Sequence, residues 1–122
     1  VNGVDYGDKS TFNWISVIRL PDFVTEADFR WAVDTAAKKK KLDCPAAELL
    51  PIDEGLCVQI LHIGSYDAEP ETVAVLDRFL AENGYVNDFS PIRLHHEIYL
   101  SDARKTAPDK LKTVIRHPIK QI

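Results

Sequence analysis

The chain has 122 residues, 45% hydrophobic and 28% charged, so it can bury one core and lacks the composition of a disordered chain. Fifteen basic against nineteen acidic residues leave a net charge of −4, which excludes the dense cationic surface that nucleic-acid binding needs. No apolar run approaches the roughly 18 residues of a membrane span and no signal segment opens the chain, so neither membrane insertion nor secretion is expected.

Cys44 and Cys57 are too few and too plainly spaced for a disulfide framework or a zinc site, and they fit a reducing cytoplasm. The chain begins with Val1 rather than Met, as a processed product or a fragment would.

Residues 12–20 (FNWISVIRL) are β-branched and aromatic up to Pro21-Asp22, which predicts a strand. Thr25 followed by Asp28 reads as a capping box with Asp in place of Glu, and Val24 and Phe29 sit where a hydrophobic staple packs, so a helix starts here. Within it Phe29, Ala32, Val33 and Ala36 recur at helical spacing and predict a buried stripe, with Trp31 well off it. The basic run Lys38 to Lys41 complements the carbonyl end of that helix rather than forming a phosphate patch. Residues 42–53, with Pro45 and Pro51, read as a connection.

Residues 56–63, almost unbroken in apolar character between Gly55 and Gly64, predict a central strand. After Tyr66, the acidic Asp67, Glu69 and Glu71 with Pro70 mark a helix N-terminus. Val73, Leu76 and Leu80, flanked by Val75 and Phe79, supply its buried face, and Asn83-Gly84 its stop. Two more strands are predicted at 94–101 and 112–116, the last ended by Pro118. Strand, helix, strand, helix, strand, strand is an α+β layout: one domain over 1–122 with an antiparallel or mixed sheet and two helices on one face.

On the strand 94–101, His95, Glu97 and Tyr99 share one face and His96, Ile98 and Leu100 the other. The apolar set is expected to meet the helices, which places Glu97 on the face away from them. Two readings are open on the residues alone, a wet sheet surface or a polar-lined cleft. In a cleft walled by Trp14, Trp31 and Tyr66, the Glu97 carboxylate would suit an organic cation, or, raised in pKa by burial, serve as a general acid or base. His95 and His96 diverge and make a poor chelating pair, so no metal is expected. His62 and His117 read as isolated, locally hydrogen-bonded histidines. There is no Gly-rich phosphate loop, no cofactor is expected, and Cys57 on an apolar strand reads as an inert thiol.

Four stretches resemble the GyrI-like small-molecule-binding superfamily, which includes effector domains of bacterial multidrug-responsive regulators. They are Ile18-Arg19-Leu20-Pro21-Asp22-Phe23-Val24, the run EGLCVQILHIGSYD from Glu54 to Asp67 with Glu69-Pro70, His95-His96-Glu97-Ile98-Tyr99-Leu100-Ser101-Asp102, and Lys112-Thr113-Val114-Ile115-Arg116-His117-Pro118. The resemblance implies two strand-helix-strand-strand units with a ligand between them, and it maps the family's pocket glutamate onto Glu97. The subgroup most similar includes stand-alone hydrolases of cyclopropanoid DNA-alkylating compounds, in which Glu97 with Tyr99 would activate water; other members inhibit DNA gyrase. Such proteins usually begin with a strand, a helix and a Trp-bearing strand that have no counterpart here. The resemblance therefore leaves three possibilities, a partner segment that supplies them, a homodimer that completes the sheet, or a fragment with an impaired site, and an unpaired sheet edge favours self-association.

Overall fold

The computed structural model describes residues 13–41 and 47–122; Phe12, Cys44 and Pro45 of the predicted elements lie outside them. The described residues fall into two compact units, one of Ile52–Ile122 and one of Asn13–Pro51.

The larger unit is built on one strand. Cys57–Ile63 (β1), Tyr85–Asn87 (β2) and His96–Tyr99 (β3) all pair antiparallel with Lys112–Gln121 (β4). The segment 113–116 of β4 is paired with β1 on one edge and β3 on the other, while β2 takes 119–121. The helix Glu69–Asn83 (α2) joins β1 to β2 and starts with Pro70 in its first turn, where a missing N–H is harmless. It ends at Gly84, whose φ of 78° is left-handed and natural for glycine. Val73, Leu76 and Leu80 are buried, with Val75 and Phe79 beside them exposed. Leu76 and Leu80 form the core with Ile119, against Val58, Ile60 and Tyr85. The α+β class with an antiparallel sheet is as expected from the order of elements.

Two boundaries differ from expectation. The three-residue β2 was not foreseen, because YVN is too short to show a period. In addition, β4 continues through Pro118 instead of stopping there. Pro118 lies between the stretch covered by β3 and that covered by β2, so its missing N–H falls at a gap in the pairing. Its carbonyl still accepts from Asp88 N at 2.8 Å, and Ile119 N reaches Leu56 O at 3.0 Å.

The smaller unit holds the helix Glu26–Lys40 (α1), opened by the capping box between Thr25 and Asp28. Its apolar stripe is shallower than the spacing predicts. Phe29, Val33 and Ala36 are half-buried, Ala32 is exposed, and no residue of α1 is buried. Residues 13–20 form no strand. A β-branched sequence becomes a strand only when its N–H and C=O groups find a ladder partner, and 13–20 have none among the described residues. An apolar hollow in this unit is lined by Leu20, Phe23, Val24, Phe29, Trp31 and Ala32. No described helix is long and apolar enough to cross a membrane.

Arg93 ties the chain entering β1 to the segment before β3. It donates to the carbonyls of Glu54 and Leu56 at 3.2 and 2.7 Å and pairs with Asp88 at 2.6 Å. Arg93→Ala should lower the unfolding free energy by about 1–3 kcal/mol in urea melts, and Arg93→Lys should recover only part, since an ammonium cannot reproduce the planar fork.

Candidate functional site

Strand register decides which face Glu97 occupies. Glu97 pairs with Ile115, Tyr99 with Thr113, and Val58 and Ile60 with His117 and Ile115, so all of these side chains share one face. That is the face α2 packs on, since Val58, Ile60 and Ile119 meet Leu76 and Leu80. The expectation that Glu97 points away from the helix layer is therefore overturned. The apolar set on the opposite face stays open instead, with Ile98, Leu100, Leu61 and Ile63 at 36%, 59%, 48% and 59% exposure. Alternation along a strand tells which residues go together, and only the helix packing tells which set is covered.

Beneath α2, Glu97 collects three partners. Tyr99 donates its hydroxyl to Oε2 at 2.5 Å, His95 Nε2 lies 3.0 Å from Oε1, and the buried Glu69 carboxyl lies beside the Glu97 carboxyl. Glu69 is the first residue of α2 and is only 1% exposed, and its Oε1 has no hydrogen-bond partner. Tyr66, in the short turn Tyr66–Ala68 that leads into α2, sets its ring edge-on to Tyr99 with centroids 5.6 Å apart. The site thus has a buried carboxyl floor and a phenolic rim.

The turn is fixed from the sheet side by His62. Its Nε2 donates to Ser65 O at 2.7 Å, because a carbonyl can only accept, and its Nδ1 lies 2.6 Å from Thr72 Oγ1 in the first turns of α2. His62 is buried, as a locally hydrogen-bonded histidine should be.

Burial raises both carboxyls, and hydrogen bonding separates them. Burial pushes Glu69 up to about 8, helped by its bond to Glu97 and by the negative charge there. Burial also acts to raise Glu97, but hydrogen bonds from His95, Glu69 and Tyr99 outweigh it and bring Glu97 down to about 2. Burial, then the adjacent Glu97 carboxylate, holds the Tyr99 phenol well above its usual value, so it stays a donor. At neutral pH the pair shares one proton, Glu69 neutral and Glu97 ionised.

Of the residues singled out from sequence, Tyr66, His95, Glu97 and Tyr99 come together here. Trp14 and Trp31 belong to the smaller unit, where they are 77% and 69% exposed and Trp31 lines the hollow beside α1. His96 lies on the opposite face, 3.9 Å from Glu54 Oε1. Two members of the site were read otherwise from sequence. Glu69 passed for one of several acids marking a helix start, and His117 for an isolated histidine. Yet His117 is fully buried and its Nε2 sits 2.7 Å from His95 Nδ1. Among the described residues no group of three or more His, Cys, Asp or Glu is arranged to hold a metal.

Aromatic side chains around a few polar groups are what small-molecule sites are commonly lined with. The chain belongs to the GyrI-like small molecule binding domain family, whose model matches residues 11–120. Its fold is similar to that of a crystal structure described as a hydrolase from Listeria innocua, with 45% identity and a TM-score of 0.79, over 84% of this chain and 52% of that one. An uncharacterized conserved protein from Listeria innocua matches at 46% identity and a TM-score of 0.78, over 84% and 50%. The chain thus spans about half the length of these solved proteins. No curated protein matches it.

Glu69 links folding to pH. An unfolded Glu releases its proton near 4.5 and the folded one near 8, so between these values the folded state holds the extra proton and stability falls as pH rises. Glu69→Gln keeps a donor toward Glu97 without the titration. It should leave the melting temperature unchanged near pH 4.5 and raise stability by about 1–2 kcal/mol at pH 8, as read by thermal melts across that range.

Proposed function

We propose that this domain binds a small aromatic, cationic organic molecule, with Glu97 as counter-ion and Tyr66 and Tyr99 as the surfaces its rings contact. The observation that carries this reading is the one-proton carboxyl pair. It keeps a net negative charge in a partly covered site at neutral pH, next to phenol rings that attract cations through their faces. Family membership supports the ligand class in its coarse form, a small molecule. Trp14 and Trp31 are proposed as further ligand contacts, a role carried over from the sequence. A partner segment or a second copy completing the sheet belongs to the same proposal, as does a place in the bacterial cytoplasm.

A second reading rests on the same pair and on the hydrolase name of a solved relative. A neutral acid beside an ionised carboxylate is what water addition to an electrophilic cyclopropane requires. Glu97 takes a proton from water, the water oxygen forms a bond to a ring carbon, and the strained C–C bond breaks. The electron pair moves into the conjugated carbonyl, which is protonated from Glu69, and proton exchange between the carboxyls restores the site. Action as a gyrase-inhibiting interaction domain is the remaining family alternative, and nothing in the site's chemistry favours it.

Titrating the protein with a cationic acridine dye and following anisotropy tests the first reading. Glu97→Gln should weaken binding at least about tenfold, and Tyr99→Phe less, since it keeps the ring. Unchanged affinity in both variants would remove the site assignment.

The two readings predict opposite responses to alkali. A second negative charge appears as Glu69 ionises near 8, so cation binding should tighten through that pH, whereas turnover that uses Glu69 as acid should decline. Mass spectrometry of a cyclopropanoid incubated with the protein decides for the enzyme if ring-opened product exceeds the protein in amount and is lost in Glu97→Gln.

A further inference from the structure

The chain Tyr99, Glu97, His95, His117 continues past the site into the core, and the proton capacities of its members fix its direction. Ionised Glu97 can only accept, so His95 Nε2 carries the hydrogen in the 3.0 Å contact with Oε1. His117 is fully buried, so it carries one proton. The buried, unpartnered Nδ1 of His117 puts that ring's hydrogen on Nε2, so Nδ1 of His95 meets it at 2.7 Å with a lone pair. Phe89 packs edge-on to the His117 ring at 5.0 Å, and the two imidazoles lie 4.8 Å apart.

We infer that His117 is a positioning residue for Glu97: by donating from Nε2 it locks His95 as the Nε2–H tautomer, and His95 in that form holds Glu97 Oε1 in place as an anion. Without the His117 donor, His95 is free to move its hydrogen to Nδ1. Its Nε2 lone pair would then face the carboxylate, and Glu97 would recover by binding a proton. The charged and titratable groups around the pair are Glu69 and Asp77 from α2, and Glu97 and Tyr99 from β3. Burial depresses His117 to about 4, which keeps its ring neutral where the lock must operate.

The test needs no ligand, so it stands or falls separately from the proposed function, whose site it concerns. Long-range nitrogen–proton NMR of histidine-labelled protein should show His95 and His117 each with a protonated Nε2 and a bare Nδ1 at pH 7. The Glu97 carboxyl carbon should then be followed by pH titration in three proteins. His117→Leu should raise its midpoint by about one to two pH units, and His117→Gln, whose amide donates from nearly the Nε2 position, should keep it near the wild-type value. An Nδ1–H His95 in the wild type would overturn the inference. So would a Glu97 midpoint that moves equally in the Gln and Leu variants, because His117 would then act by packing alone. Should the Leu variant fail to fold, the wild-type tautomer and the Gln titration still decide.

Discussion

Everything about this site depends on two carboxyl groups placed too close together for both to be charged. Glu69 arrives from the first turn of α2 and Glu97 from β3, and the packing of helix on sheet presses the two carboxyls side by side. Glu69 is buried and Glu97 only partly exposed, which weakens screening, so the energetic difference between one and two negative charges becomes a difference in role. Glu97 has donors around it and takes the charge, while Glu69, its Oε1 buried without a partner, keeps the proton. Neither state is a property of the residue type.

The sheet supplies the rigidity this needs. With β4 bonded on both edges over 113–116, the residues opposite Glu97 and Tyr99 belong to the best-held strand of the unit, and Ile115, Thr113 and His117 are all buried there. His62 performs a related service from β1 by anchoring the turn ahead of α2. The carboxyl pair is thus clamped from strand, turn and helix together, which is what preorganisation of a small polar site demands.

Much of this was legible in the sequence. The apolar period of α2, its Pro70 start and its Gly84 stop are local, and they are found as read. The shared face of His95, Glu97 and Tyr99 follows from strand alternation. What was not legible is which face the helix would cover, because that depends on the register of β3 and β1 against β4, a contact across more than fifty residues from Val58 to His117. Glu69 was hidden for a related reason, since an acid at a helix start already has a sufficient local explanation in the macrodipole. His117 was hidden by Pro118, which looked like the end of the strand and so detached the histidine from the sheet. The strand expected at 12–20 shows the opposite error, a strong propensity without a partner to satisfy it.

The carboxyl floor and the Tyr66 side of the rim come from different kinds of structure. The carboxyl floor sits where a long helix meets paired strands, whereas Tyr66 stands on a single three-residue turn bounded by Gly64 and the start of α2. Exchanging side chains on that turn changes the shape of the mouth while leaving the proton-sharing pair untouched. A lineage built this way can drift from one ligand to another by altering a few exposed positions, and keep the same acid at the bottom throughout.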